Sequence, residues 1–235
     1  MHYVLRVSLP DEYGALHALT GACRGVGADI VSLDVVERAG GFAVDDLCVT
    51  IDDPEALTAS LDRLPGMAVM SLRQVTSFRD LDGALALAAA MVAKGRGAVR
   101  LLVERLPRAL WAGWAIGVAR GWNGLEQLAA SDGALVPKCS HWLPLIAPRR
   151  LYRSDVTDDT ATTTFDDLEL AAAPLGQATS AVIVARRGGP RFVERELRQL
   201  DLLAKVSVAT EIAHAHTMRR PIERIYPARR TVVRS

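Results

Sequence analysis

The first 76 residues alternate between two hydrophobic patterns, one with a period of two and one with a helical period. Apolar residues occupy every second position of 3–9, which predicts a strand with one buried face. From Leu16 to Val26 they recur at spacings of three and four, which predicts an amphipathic helix that Gly25 and Gly27 end. The two patterns then predict strands near 31–35 and 47–51, a helix over 57–64 and a strand over 67–75.

The resulting order is strand, helix, strand, strand, helix, strand. Such an order with one-sided helices predicts the ferredoxin-like βαββαβ arrangement, with both helices on one face of a four-stranded sheet. Asp53-Pro54 supplies an N-cap and a first turn for the second helix. The other face of the sheet has to be covered, either by a second domain or by a second copy of the chain.

The pattern changes after the short polar segment 77–83, which we predict to be a linker between two domains. The second domain, 84–216, is predicted to be an α/β/α unit, so that the chain as a whole is α+β. Its helices are expected over 81–94 and 99–106, where Pro107 ends the second one, and over 191–216. Its strands are expected over 111–118, 125–130, 168–174 and 180–186. Val193 to Ile212 form the apolar stripe of the long C-terminal helix, and Glu194, Glu196 and Arg198 are predicted to lie on its solvated side.

Two short segments carry a resemblance to a known family. Residues 9–16, Leu-Pro-Asp-Glu-Tyr-Gly-Ala-Leu, and residues 26–30, Val-Gly-Ala-Asp-Ile, are similar to the ligand-binding elements of ACT domains. Tyr13 stands where that family usually has proline, and Asp29 where it often has asparagine. The resemblance implies an amino-acid-binding regulatory module that pairs as a homodimer.

The residue chemistry fits that implication. Free backbone N–H groups at the helix start near Gly14 can receive an α-carboxylate, and an acid such as Asp29, if it lies near that turn, suits an α-ammonium. In the alternative interpretation Asp11 is an ordinary N-cap, Gly14 relieves crowding, and Asp29 is simply solvated. The candidate ligand-binding residues are Asp11, Glu12, Tyr13, Gly14, Ala15, Leu16, Asp29 and Ile30.

The C-terminal half resembles a GAF domain. The segments that carry this resemblance are Ala173-Pro174-Leu175, the apolar strand 181–185, and Phe192 followed by the paired leucines of the last helix. GAF-like domains bind small ligands, act as signalling sensors or dimerise through their helices. No ligand can be assigned to this half from its sequence.

Other candidate chemistry is sparse. Cys139 and His141, two residues apart, would share a face of a strand and could form a nucleophile and base, but the sequence shows no oxyanion-hole loop or orienting partner, which favours a core cysteine beside a surface histidine. His214 and His216 lack the i, i+4 spacing of a helical metal site. The Asp-rich segment 154–167 predicts a solvated loop, with a calcium site as the alternative, but its spacing matches no EF-hand. Four tryptophans either line a pocket or fill a core: Trp111, Trp114, Trp122 and Trp142.

Composition narrows the class of protein. The chain has 235 residues, a net charge of +1, 50% hydrophobic residues and three cysteines. An odd number of cysteines predicts free thiols in a reducing compartment, and neither a signal peptide nor a membrane span is visible, so we expect a cytoplasmic protein. The tail 217–235 has six arginines and one glutamate. It is predicted to be a solvated arm, or else a contact for nucleic acid.

The sequence therefore predicts a non-catalytic regulatory protein without cofactor or metal. It is expected to bind a small ligand, an amino acid by the resemblance, at its first domain and to relay occupancy to the second domain or to a protein partner. The alternative is a dimerisation or interaction protein with no small-molecule ligand. An enzyme that uses Cys139 and His141 is the third hypothesis.

Overall fold

The computed structural model describes residues 1–76, 83–158 and 164–219, which form two units, each built on an antiparallel sheet. The predicted linker 77–83 is described only at Gly83, and the predicted tail only up to residue 219. The first unit consists of β1 (His2–Pro10), α1 (Ala15–Gly25), β2 (Asp29–Ala39), β3 (Phe42–Thr50), α2 (Pro54–Leu61) and β4 (Ala68–Val75).

The first unit has the predicted ferredoxin-like βαββαβ order, with strands arranged β2-β3-β1-β4. Tyr3, Leu5, Val7 and Leu9 of β1 point to the face that α1 and α2 cover, as their alternation predicts. Asp53 caps α2 by accepting the Ala56 N–H at 3.0 Å. The period-two and helical patterns thus placed every element of this unit to within a few residues.

The second unit is built on a five-stranded sheet in the order β6-β5-β9-β8-β7. Three helices pack on one face of that sheet, around Leu102, Val184 and Leu200. Its other face is covered by described residues that lie between β6 and β8 in the chain, among which Trp142 and Phe165 are buried. The elements of this unit are α3 (Gly83–Lys94), α4 (Ala98–Ala109), β5 (Trp114–Gly121), β6 (Gly124–Ala130), β7 (Arg149–Leu151), α5 (Arg153–Val156), β8 (Leu168–Leu175), β9 (Gln177–Arg187) and α6 (Glu194–Arg219). The α+β fold class with a long C-terminal helix is confirmed.

Two local predictions in this unit were wrong. Helix α4 continues through Pro107, because proline removes a single hydrogen bond while Leu106 and Leu110 on either side of it are buried. The described part of the acidic segment is not a solvated loop throughout. Asp155 and Val156 are buried in α5, and Arg149 binds the Asp155 carboxylate at 3.0 Å. Residues 159–163 of that segment lie outside the described residues.

The second face of the first sheet is covered by the second unit of the same chain. Val4, Cys48 and Val75 pack against Trp111, which follows α4. A second small cluster joins the same sheet to Val193, just before α6. Of the two coverings predicted for this face, a second domain or a second copy of the chain, the second domain is present. The interface between the units is therefore where a change in one unit can affect the other.

Among the described residues, no helix combines the length and the apolar character that crossing a membrane requires.

Candidate functional site

The segment 11–16, called here the α1 turn, presents free backbone donors at the start of a helix. Gly14 has a φ of +92° and forms the N-cap of α1 without any side-chain cap. Glycine suits this position because a side chain disfavours such a φ. The Ala18 N–H bonds to Gly14 O at 2.9 Å, but the Leu16 and His17 N–H groups find no acceptor in the described residues. The turn can therefore receive an anion, as the helix start predicted.

The two acids of the turn do not block it. Asp11 pairs with Arg38 at 3.6 Å, and its N–H bonds to Gly41 O at 2.9 Å, so its side chain is engaged on the β2–β3 hairpin side. Glu12 and Tyr13 are exposed, and Ala15 is buried in the core of the first unit. These positions are compatible with a ligand at the turn, although the turn is open to solvent.

Asp29 and Ile30 are not near the α1 turn, contrary to our expectation. In the sheet register Asp29 lies opposite Thr50, and Thr50 lies opposite His2 at the start of β1. The turn follows Pro10 at the other end of β1. The two ends of this nine-residue strand are about 26 Å apart at about 3.3 Å per residue. The physical reason is that α1 runs back along the sheet, so β2 begins level with the start of β1, at the end of the sheet opposite the α1 turn. A single chain cannot use both elements for one small ligand.

A different acid, Asp45, lies closer to the turn. It is only 3% exposed, it lies opposite Val7 on the helix-covered face, and its Oδ1 has no hydrogen-bond partner. Burial raises the pKa of Asp45, Arg38 lowers it, and the charges of Asp46 and Asp11 raise it further. Sequence analysis missed this residue, although the alternation of Leu47, Val49 and Ile51, extended backward by two, places Asp45 on the buried face.

A chain of four alternating charges crosses the interface between the units. Arg6 of β1 donates from Nε and Nη2 to the two Asp46 carboxylate oxygens, both at 2.7 Å. Its Nη1 donates to Glu196 Oε2 at 3.3 Å, and Arg186 Nη2 donates to Glu196 Oε1 at 2.8 Å. Burial lowers the pKa of Arg6, but the hydrogen bonds and charges of Asp46 and Glu196 outweigh it, so that pKa lies above its ordinary value. Asp46, Arg6, Glu196 and Arg186 are called here the charge chain.

Glu196 is the residue at which the sequence prediction fails most clearly. It was expected on the solvated side of the last helix, yet it is 6% exposed. It occupies the third position of α6, where its carboxylate accepts the Val193 N–H at 2.8 Å. That bond is half of a capping box, and the spacing from Val193 to Glu196 was visible in the sequence. What the sequence did not show is that two buried arginines reach the same carboxylate.

A cavity of about 110 Å³ lies beside the charge chain, between the two units. We call it the interface cavity. Arg73 of β4 and Trp111 form part of its wall, with the Arg73 guanidinium 4.7 Å from the indole centroid. Of the four tryptophans, only Trp111 lines this cavity. Trp114 and Trp142 belong to the core, and Trp122 is fully exposed at the β5–β6 turn.

Cys139, His141 and Asp158 bring three possible metal-ligand atoms within 4.8 Å of one another. His141 and Asp158 are exposed and Cys139 is buried. Burial raises the pKa of the Cys139 thiol, and its hydrogen bond to Asp158 and the charge of that residue raise it further. A nucleophilic cysteine requires the opposite shift, so this cluster gives no support to the enzyme hypothesis. His214 and His216 belong to no such cluster in the described part of the chain.

Comparisons with known proteins leave the family open. No family model matches the chain, and no curated protein does. Among solved structures, the chain is similar to the GAF domain of a putative sensor histidine kinase from Pseudomonas syringae pv. tomato, at 14% identity and a TM-score of 0.39, over 60% of this chain and 94% of that one. It is also similar to the Stigmatella aurantiaca phytochrome photosensory core module, at 12% identity and a TM-score of 0.42, over 82% and 43%.

A third similarity spans both units. A formyltetrahydrofolate deformylase from Pseudomonas putida KT2440 has 10% identity and a TM-score of 0.31, over 94% of this chain and 96% of that one. All three scores are too low to carry an assignment. The fold therefore rests on the strand orders and the two cores described above.

We expect Arg6→Met to destabilise the protein by about 3 kcal/mol, because it leaves Asp46 and Glu196 without a shared buried partner. Urea denaturation would measure the change. The matched control is Arg100→Met, which removes an exposed arginine paired with Glu104 on α4 and should cost about 0.5 kcal/mol or less. Equal effects of the two substitutions would show that the charge chain contributes nothing beyond a surface ion pair.

We expect Asp45→Asn to raise the free energy of unfolding at neutral pH in the absence of ligand, since the raised pKa of Asp45 means that folding disfavours its charged form. The gain should be complete above that raised pKa and vanish as the pH falls below the ordinary value of 3.8, where Asp45 is neutral in both states. Thermal melts of the two proteins across acidic pH check this. A gain that persists at the lowest pH would contradict it.

Proposed function

We propose that this protein is a non-catalytic regulator that binds an amino acid at the α1 turn and transmits occupancy to its second unit. The observation that carries the proposal is the buried carboxylate of Asp45, whose Oδ1 lacks a partner and which lies opposite Val7, three residues before the end of β1 that leads to the free Leu16 and His17 N–H groups. An α-amino acid presents one carboxylate and one ammonium, and these groups are their natural complements. The raised pKa of Cys139 favours a non-catalytic role.

The route for transmission is the charge chain. Asp46 follows Asp45 directly in β3, and its carboxylate holds Arg6, which in turn binds Glu196 of α6. A ligand that binds Asp45 would therefore act on a strand that is tied to the second unit by buried, hydrogen-bonded charges. Such pairs resist small displacements, because moving one partner leaves the other buried and uncompensated. A change in β3 is thus carried to the start of α6.

Pairing of two copies through β2 would add residues of the second copy to the binding site at the α1 turn. β2 is an edge strand of eleven residues with exposed Val31 and Val35, a surface open to strand addition. Antiparallel pairing of β2 with its counterpart would bring Asp29 of a second copy to the end of the sheet where the α1 turn lies. We therefore include the homodimer in the proposal, with Asp29 and Ile30 acting from the second copy.

Screening the twenty amino acids by thermal shift tests the binding proposal. A true ligand at a hundredfold excess over Kd should stabilise the protein by about 2.7 kcal/mol, a shift of several degrees. Asp45→Asn should abolish the shift. A second test variant is Gly14→Ala, and its matched control is Gly27→Ala. Both glycines have a positive φ and open space around an added Cβ, but they lie at opposite ends of α1. Only Gly14→Ala should reduce binding.

A second candidate function is an interaction protein that dimerises without a ligand, which the exposed apolar positions of β2 favour. Light scattering of the full chain should give a dimer, and Val31→Lys should convert it to a monomer while Val92→Lys, at another exposed valine, should not. A dimer of this kind with no response to any amino acid would favour this second function. A monomer at all concentrations would remove both the second function and the role of Asp29. Contact of the tail with nucleic acid stays a prediction from the sequence.

A further inference from the structure

Arg73 carries a charge that nothing in the described chain neutralises directly. Its Nε has lost contact with water and has no hydrogen-bond acceptor, and its guanidinium forms no ion pair with any described residue. Burial, then the like charges of Arg186 and Arg6, lowers the pKa of Arg73 to about 10, so that it is still a cation at neutral pH. A buried donor without an acceptor costs stability, so its persistence requires an explanation.

The interface cavity is lined by three arginines and three acids, and the nearby Arg186, which does not line it, adds one positive charge. Arg6 and Arg186 lie close enough to lower the pKa of Arg73, and Asp46 and Glu196 oppose them there. Both of these carboxylates are already hydrogen-bonded to Arg6 or Arg186 in the charge chain. The remaining charged groups of the cavity wall pair with each other at 3.4 Å, and these are Asp34 and Arg195. The cavity therefore suits a ligand with a single negative charge.

The backbone at Trp111 points to the same place. Its φ of +53° is left-handed, at the position after the C-cap of α4 where glycine is usual. A bulky residue held in this conformation is strained, and such strain clusters at ligand clamps. The strained turn sets the indole against the face of the Arg73 guanidinium. The indole contact leaves Arg73 Nε without a hydrogen-bond acceptor, and a guanidinium presents its N–H groups to a planar anion at its edge.

The size and lining of the cavity limit the rest of the ligand. Its volume of about 110 Å³ is somewhat smaller than a cavity that holds benzene, about 150 Å³. Val4, Val36, Cys48 and Val193 supply the apolar part of the cavity wall. A molecule of about six non-hydrogen atoms, with a charged end and a short aliphatic body, matches both the volume and the lining.

We propose that the interface cavity is a binding site for a small aliphatic monocarboxylate, whose carboxylate binds the N–H edge of Arg73 while its carbon atoms pack between the two units. This site is separate from the α1 turn, because Arg73 faces the second unit whereas Asp45 lies on the helix-covered face of the same sheet. The ligand would occupy the space beside the charge chain and contact both units at once.

Calorimetric titration of the full chain with isobutyrate, isobutyramide and inorganic phosphate tests the proposal. Isobutyrate and isobutyramide share their shape, but only the first is an anion. We expect isobutyrate to bind, and isobutyramide and phosphate to bind at least about tenfold more weakly, the usual effect of losing a charged hydrogen bond or of adding charge and losing the apolar body. Equal binding of isobutyrate and isobutyramide, tighter binding of phosphate, or no binding of isobutyrate would each overturn the proposal.

Substitutions locate the site. Arg73→Gln should weaken isobutyrate binding by about tenfold or more, and Arg63→Gln, at an exposed arginine of the same unit, should leave it unchanged. Arg73→Lys keeps the charge but loses the planar edge, so it should give an intermediate affinity and serves if the glutamine variant does not fold. Isobutyrate binding that survives both Arg73 substitutions would overturn the assignment.

Asp45→Asn separates this site from the amino-acid site of the proposed function. It should leave isobutyrate binding intact while abolishing any amino-acid shift, and Arg73→Gln should do the reverse. Loss of isobutyrate binding in Asp45→Asn would overturn the claim that the two sites are separate. Failure of every amino acid to bind, with isobutyrate binding retained, would remove the proposed function and leave this inference standing.

Discussion

The buried carboxylate of Glu196 is the group on which the arrangement of the two units depends. It accepts hydrogen bonds from the start of its own helix, from Arg186 of the neighbouring strand and from Arg6 of the other unit. A carboxylate this deep is tolerated only when its oxygens are fully bonded, and here each oxygen has at least one cationic donor. Because those donors come from three separate segments, the position of α6, the second sheet and the first sheet are fixed relative to one another.

This constraint explains why the interface is polar at its centre and apolar around it. The small clusters that join Trp111 and Val193 to the first sheet exclude water but are too small to fix an orientation by themselves. Charged hydrogen bonds are directional, so the charge chain supplies the geometry that the apolar contacts lack. It also leaves the units separable in principle, since no continuous apolar core unites them.

The sequence predicted the first unit well because alternation and helical spacing there follow one sheet with one covered face. It predicted the second unit less well where the chain between β6 and β8 folds over the sheet with little regular structure, as at Asp155 and Phe165. Arg6 and Glu196 could not be recognised as buried, because a polar residue in a pattern indicates solvent unless its partner is known. Asp45 was missed although the alternation of β3 places it on the buried face. The predicted position of Asp29 near the α1 turn was wrong for a different reason. The motif around Asp29 is local, whereas the distance of Asp29 from the turn depends on the direction of α1.

The separation of Arg6 and Glu196 along the chain, 190 residues, also has a consequence for the order in which the protein forms. A ribosome releases Arg6 and Asp46 long before Glu196 exists, so the first unit emerges with one face of its sheet bare. The 2.7 Å contacts between Arg6 and Asp46 join two residues of the first unit, so they require no part of the second unit. The contact of Arg6 with Glu196 requires the last helix, so the interface between the units is completed only after almost the whole chain has been synthesised.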